Sequence, residues 1–430
     1  MSLPKEINYT NNRINLPAGT TSQSIVVTPA NGSVFNQNQT VIFNLPSRSY
    51  AVPSSIYFRY KMTNVGGDAS SNIRGSAPVY TPFVRLDTLI GSTSYESISA
   101  FNVLNNMLVS LKMNYAQKLG LANALGLLDN AGAVAPTFSN LNCHDVAGAN
   151  ESITVGAPLN CLLSNADSLI PLKYMPAVSI QLTTDTVANI FTNVAGGAIP
   201  TDISISNLEL VMDLIDFNDD VDRAVMSMAD ERGKILIKSQ SYMTSAQNAP
   251  ASSQGTLEFI YSMRLASIKS LFLSLQGTHA GAVNKLYDSL DITSNNGQYQ
   301  FFVASTPYPS RPISTVLNKN GAVMMELSGA LGPAHDLLTS NFSITPTEFN
   351  YINTSTTTVT QLGRFFLGTN VERLSSNGVL LSGISSQLSP ISVRIDLNTA
   401  TTNAQVLNLI VNYDAIFEID VANKQCTILQ

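Results

Sequence analysis

The closing stretch of the sequence, "VLNLIVNYDAIFEID" at residues 406–420, has a near-copy at mid-chain, "NLELVMDLIDF" at residues 207–217. Leu407 and Leu409 fall on Leu208 and Leu210. Just upstream of each lies a second matching pair, "MPAVSIQLTTDT" (175–186) and "SPISVRIDLNT" (389–399). Val178, Ile180 and Leu182 fall on Ile391, Val393 and Ile395, and polar residues stand between them. That alternation marks a half-buried β-strand, whose successive side chains point to opposite faces.

The front of each half repeats in the same way. "QTVIFNLPSRSYAVPSSIYFRYKM" (39–62) matches "GTLEFIYSMRLASIKSLFLSLQG" (255–277). Thr40, Val41 and Phe43 fall on Thr256, Leu257 and Phe259; Ser55, Ile56, Tyr57 and Phe58 fall on Ser270, Leu271, Phe272 and Leu273. Three of the four matches keep an offset of about 213–216 residues, and the strand order is preserved, so the chain reads as two copies of one β-domain.

The joint falls at "DFNDDVDRAVMSMADERG" (216–233). Asp219 or Asp220 can cap a helix, Val221, Val225 and Met228 share a face, and Gly233 is a stop. The expected division is an N-terminal arm over 1–34, a first domain over 35–218, a linker helix over 219–233, a second domain over 234–421 and a tail over 422–430. Prolines between the opening strands mark strand ends, and Asn-Gly pairs at 31–32, 296–297, 320–321 and 377–378 are turn signals. Helical insertions are expected within 93–126, with a stripe of Ile98, Phe101, Leu104, Leu108 and Leu111, and within 323–340. The longest candidate loops are 64–82, 127–170 and 340–362. Many short strands with turn signals and few helices make an all-β protein of two sandwiches. Domains of this size suit jelly rolls with long connections better than compact immunoglobulin-like sandwiches, whose usual core Trp is missing.

Composition narrows the function classes. Of 430 residues, 44% are apolar and only 12% charged, with a net charge of −6. The surface must then be covered by Ser, Thr, Asn and Gln, which suits extensive protein–protein contact. No basic run is present, so direct nucleic-acid binding is not expected. The cysteines, Cys143, Cys161 and Cys426, form no disulfide framework and read as reduced thiols. The polar start lacks an apolar h-region, so no signal peptide is expected, and no segment has the length of a transmembrane span.

Chemical motifs are weak. Cys143, His144 and Asp145 with Cys161 lack paired zinc spacing. "DFNDDVD" places Val221 and Ser227 where a calcium loop needs Gly and Glu. His335-Asp336 has no G-x-S-x-G partner, His279 stands alone, and "GGDASSNIRG" (66–75) has no phosphate-loop ending. No catalytic, metal-binding or cofactor site is expected, and no enzyme. Asn8, Asn31, Asn38, Asn341 and Asn353 begin Asn-x-Ser/Thr triplets, which occur by chance in so polar a chain. The N-terminal stretch carries apolar residues, Ile7, Tyr9, Ile14 and Leu16, that a purely disordered tail would not need. They are candidate anchors of an assembly arm.

Taken in order, "VIFNLPSRSYAVPSSIYFRYKM", "FVRLDTLIGSTSYESISAFNVLNNML" (83–108), "TPYPSRPI" (306–313) and "SPISVRIDL…LNLIVNYDAIFEID" resemble the double jelly-roll major capsid proteins of tailless icosahedral DNA viruses. That family spans membrane-containing bacteriophages, virophages, polinton-like viruses and larger eukaryotic DNA viruses. The resemblance covers residues from about 35 to 421 and implies two tandem jelly rolls in one polypeptide. It also implies homotrimers of pseudo-hexagonal outline that tile a capsid, and a virion location. Implied partners are the chain itself, neighbouring trimers, penton and minor capsid proteins, with an internal membrane left open. The repeated closing strand would then be the same sheet position in each jelly roll. A tandem β-sandwich spike or lectin-like binding protein is the alternative function.

Overall fold

The computed structural model describes residues 19–66, 71–73, 75, 77–129, 138–140, 152–193, 200–232, 234–277, 297–316, 320–332, 349, 365–373, 381–401 and 404–430. Ile7, Tyr9, Ile14 and Leu16, all three histidines, Cys143 and, apart from Phe349, the 340–362 stretch lie outside these residues.

The principal strands of the first half are β1 (Thr21–Val27), β2 (Thr40–Asn44), β3 (Tyr57–Val65), β4 (Phe83–Ile90), β5 (Thr93–Ile98), β6 (Ser152–Pro158), β7 (Val178–Thr184) and β8 (Asp202–Asp216). Those of the second are β9 (Ile235–Ala249), β10 (Gly255–Tyr261), β11 (Ile268–Gly277), β12 (Gln298–Val303), β13 (Thr306–Ser314), β14 (Phe366–Asn370), β15 (Ile391–Leu397) and β16 (Gln405–Asp420). The first half forms antiparallel sheets β1-β8-β3-β6 and β2-β7-β4-β5, and the second forms β9-β16-β11-β14 and β10-β15-β12-β13. In each half, first strand beside last and second beside next-to-last is the order a jelly roll requires.

The ladders reproduce the sequence repeat residue by residue. Leu210 pairs with Phe58 as Leu409 pairs with Leu273. Leu182 and Ile180 pair with Val41 and Phe43 as Ile395 and Val393 pair with Leu257 and Phe259. Two-residue hairpins stand at the same place in both halves, Gly91-Ser92 between β4 and β5 and Ala304-Ser305 between β12 and β13. The positive φ of Gly91, Ala304 and Ser305 (63°, 49° and 68°) is the backbone that such tight turns need.

Alternation builds the cores. Along β7 every second residue is buried, and Phe58, Tyr60 and Met62 point inward from β3. Phe83 meets the Phe58 and Tyr60 rings edge-on, with centroids 5.6 and 5.3 Å apart. Helix α1 (Phe101–Lys112) is buried over most of its length. Two of its buried asparagines are satisfied internally: the Asn102 amide donates to the buried Asp185 carboxylate at 3.0 Å, and Asn106 Oδ1 accepts from the Ala77 N–H at 2.7 Å.

Several expectations need correction. The arm drawn to residue 34 includes β1, which pairs along its whole length with β8, so the first sandwich starts near residue 21. The tail after 421 includes β17 (Gln425–Leu429), which pairs with the end of β16. Residues 93–98, assigned to a helical insertion, form β5, because the hairpin at Gly91-Ser92 commits them to pairing with β4; the helix begins at Phe101. The candidate loop 127–170 contains β6, whose "SITVGAP" has too few apolar residues to advertise a strand. Helix α2 (Asp219–Arg232) joins the halves, but its first turn is capped by Asn218, whose Oδ1 accepts from the Val221 N–H at 3.1 Å. Asn320-Gly321, read as a turn signal, begins helix α3 (Gly321–Leu331).

Candidate functional site: the seam between the two jelly rolls

Two edge strands from different sandwiches meet inside the chain. β5 closes one sheet of the first half, and β9 closes one sheet of the second. Glu96, on β5, is fully enclosed between them, at 1% exposure. Its carboxylate accepts the Thr88 hydroxyl at 2.6 Å, the Leu162 N–H on both oxygens at 2.9 and 3.0 Å, and the Ser241 hydroxyl from across the seam. Burial pushes the Glu96 carboxyl above the ordinary carboxylate range, while these donors pull against that shift.

Most of the rest of the seam is small hydroxyl side chains and backbone, joined by the Tyr95 hydroxyl, which donates to the Cys426 carbonyl at 3.4 Å. The Ser239 hydroxyl donates to the Leu162 carbonyl at 2.6 Å, and the Asp167 N–H donates to the Lys238 carbonyl at 2.9 Å. Thr244 Oγ1 accepts the N–H groups of Ser99 and Ala100 at 2.8 and 3.2 Å and lies 2.9 Å from the Ser99 hydroxyl. Short hydroxyls let the two edges approach closely and satisfy buried polar groups without a desolvated charge pair.

A second buried carboxylate ties the second jelly roll together. Asp414 Oδ2 accepts the Ser267 hydroxyl at 2.7 Å and the Ser382 N–H and hydroxyl at 2.8 and 2.9 Å. Lys238 and Lys269 lie 3.6 and 3.9 Å from its other oxygen. Asp222 anchors the linker helix by accepting the Tyr50 hydroxyl at 3.0 Å and pairing with Lys173, whose ammonium sits 4.7 Å from the Tyr50 ring centre.

Among the described residues, no three His, Cys, Asp or Glu side chains are grouped to hold a metal ion. Cys161 is buried near the seam, its thiol pushed up to about 12 by burial, and Cys426 is likewise raised to about 12. Thiols held in that range are protonated and unreactive. No helix among the described residues is long and apolar enough to cross a membrane. Glu96, Ser241 and Thr244 carry no motif, because the seam depends on which strands end up at sheet edges.

No family model matches the sequence, and no curated protein matches it. Solved structures do. The Faustovirus major capsid protein superposes with a TM-score of 0.61 over 95% of this chain and 92% of its own, at 10% identity. The PBCV-1 virus capsid gives 0.56 over 96% and 97%, at 10% identity. The mavirus major capsid protein gives 0.52 over 100% and 95%, at 11% identity. The chain has the double jelly-roll fold of these capsid proteins. In a double jelly roll the intrachain seam is the one contact between sandwiches that a single polypeptide can complete alone, and here it closes over Glu96.

Proposed function

We propose that this chain is a viral major capsid protein that assembles into trimers of pseudo-hexagonal outline, which tile an icosahedral shell. The observation that carries the reading is the fold, two jelly rolls of identical strand order fused in one chain and matched over nearly the full length of viral capsid structures. A duplicated domain lets a three-fold object occupy six-fold lattice positions. A surface poor in charge favours broad contacts, and each subunit contact should bury more than about 2,000 Å² in total. The proposed partners are further copies of the chain, then penton and minor capsid proteins, with the shell interior facing either a membrane or other proteins. Ile7, Tyr9, Ile14 and Leu16 are proposed as anchors by which the N-terminal arm links neighbouring trimers.

Negative-stain imaging of the purified protein tests the reading. Hexagonal particles are expected. Single two-lobed particles at every concentration, with binding to a glycan array, would favour a tandem β-sandwich binding protein instead.

A further inference from the structure

The two halves differ at one pair of equivalent strands. β2 and β10 each close an edge of their sheet. Their ladders to β7 and β15 keep the same register without a bulge. Val41 pairs with Leu182 as Leu257 with Ile395, and Ile42 with Gln181 as Glu258 with Arg394. In the first half the outer side of β2 is sealed. The Ala30 N–H donates to the Ile42 carbonyl at 2.8 Å, and Asn31 Oδ1 accepts from the Ile42 N–H at 3.0 Å. Asn31 Nδ2 donates to the Thr40 carbonyl at 2.6 Å. Residue 42 thus turns both backbone groups outward, and Asn31 stands in for a further strand.

β10 lacks this seal. The Gln247 amide reaches the Ile260 carbonyl at 3.2 Å. Among the described residues, nothing bonds the outward backbone groups of Thr256 or Glu258. The side chains show the same difference. Val41 and Phe43 are fully buried, whereas Leu257 and Phe259 are half-buried and Ile260 is 55% exposed. Open backbone groups beside an apolar stripe form an edge that accepts an added strand. Main-chain bonds then give affinity, and alternate side chains give specificity.

We infer that β10 is the docking edge for the N-terminal arm of a second copy of this chain, with residues 13–16 pairing antiparallel to residues 257–260. This rests on the capsid reading and gives its proposed arm a seat. The arm ends at Gly19, beside Asn218 at the head of the linker helix. Extended, its residues 1–18 would reach about 60 Å, enough to cross onto a neighbouring jelly roll. Its "RINL" (13–16) alternates polar and apolar residues, as a half-buried strand requires. With Asn15 opposite Glu258, Ile14 and Leu16 fall beside Phe259 and Leu257 and cover them. Arg13 then lies diagonal to Glu258, within reach of its carboxylate. Pro17 ends the added strand.

Paired cysteines test the docking in full-length chains. Directly opposed residues of an antiparallel pair have Cα atoms about 5.5 Å apart at most, inside the disulfide range. An Asn15→Cys chain co-expressed with a Glu258→Cys chain should give an interchain dimer on a non-reducing gel after mild oxidation. Neither variant alone should do so. Adding Ile260→Lys to the Glu258→Cys chain puts a positive charge opposite Arg13. It should cut the linked fraction several-fold while keeping the melting temperature, because residue 260 is exposed. If the Asn15→Cys, Glu258→Cys double variant closes only within one chain, the second copy is overturned as occupant. Trimers by light scattering with no disulfide of either kind would overturn the docking and leave the capsid reading standing. A monomer at all concentrations, with no interchain link, would overturn both.

Discussion

Glu96 carries the seam at the scale of single residues. Truncating it to alanine strands the Leu162 N–H and the Thr88 and Ser241 hydroxyls in a dry interface. Each stranded donor is costly, so Glu96→Ala should destabilise the protein by about 3 kcal/mol, measured by denaturant unfolding. The pH dependence follows from burial. A carboxyl raised above its ordinary value of 4.5 contributes stability that is complete below that value and is lost as pH climbs through the raised one. Relative to Glu96→Gln, which stays neutral, the wild-type melting temperature should therefore fall as pH is taken from about 4 to about 8. A constant difference across that range would mean that Glu96 does not titrate there.

At the scale of elements, the strands shared by the two halves were legible because alternation and order both repeat: β2, β3, β7 and β8 against β10, β11, β15 and β16. Each half's first strand was not. β1 reads "TSQSIVV", exposed over most of its length and half-polar, so it merged with the N-terminal arm. β9 reads "ILIKSQSYMTSAQNA", where the buried residues include Ser239, Ser241 and Thr244, so hydropathy misses it. β5 was absorbed into the helical stripe that follows it. For β5 and β9 the cause is shared: these are edge strands whose burial comes from the other jelly roll, and a pattern within one strand cannot reveal a distant partner. The same distinction predicts two truncations. Removing residues 1–18 should leave the melting temperature near wild type and, if the arm ties trimers together, impair shell assembly. Removing residues 1–27 also strips β1 from β8, which should lower thermal stability and expose a sheet edge to aggregation. Equal melting temperatures for the two truncations would contradict the structural role of β1.

At the scale of the whole molecule, the duplication organises everything else. One jelly-roll design is written twice, and the two copies meet at a seam inside the chain. A composition low in charge and rich in small polar residues suits a protein whose work is done by contact with its own copies, and the buried carboxylates serve as structural pins. Under the proposed function, the working unit of this chain is an oligomer of itself. The most direct test is the solution mass of the purified protein by light scattering across a range of concentrations. A stable species of three times 46.1 kDa is predicted. A species that stays at 46.1 kDa at the highest concentration reached would rule out the trimer as the unit of assembly.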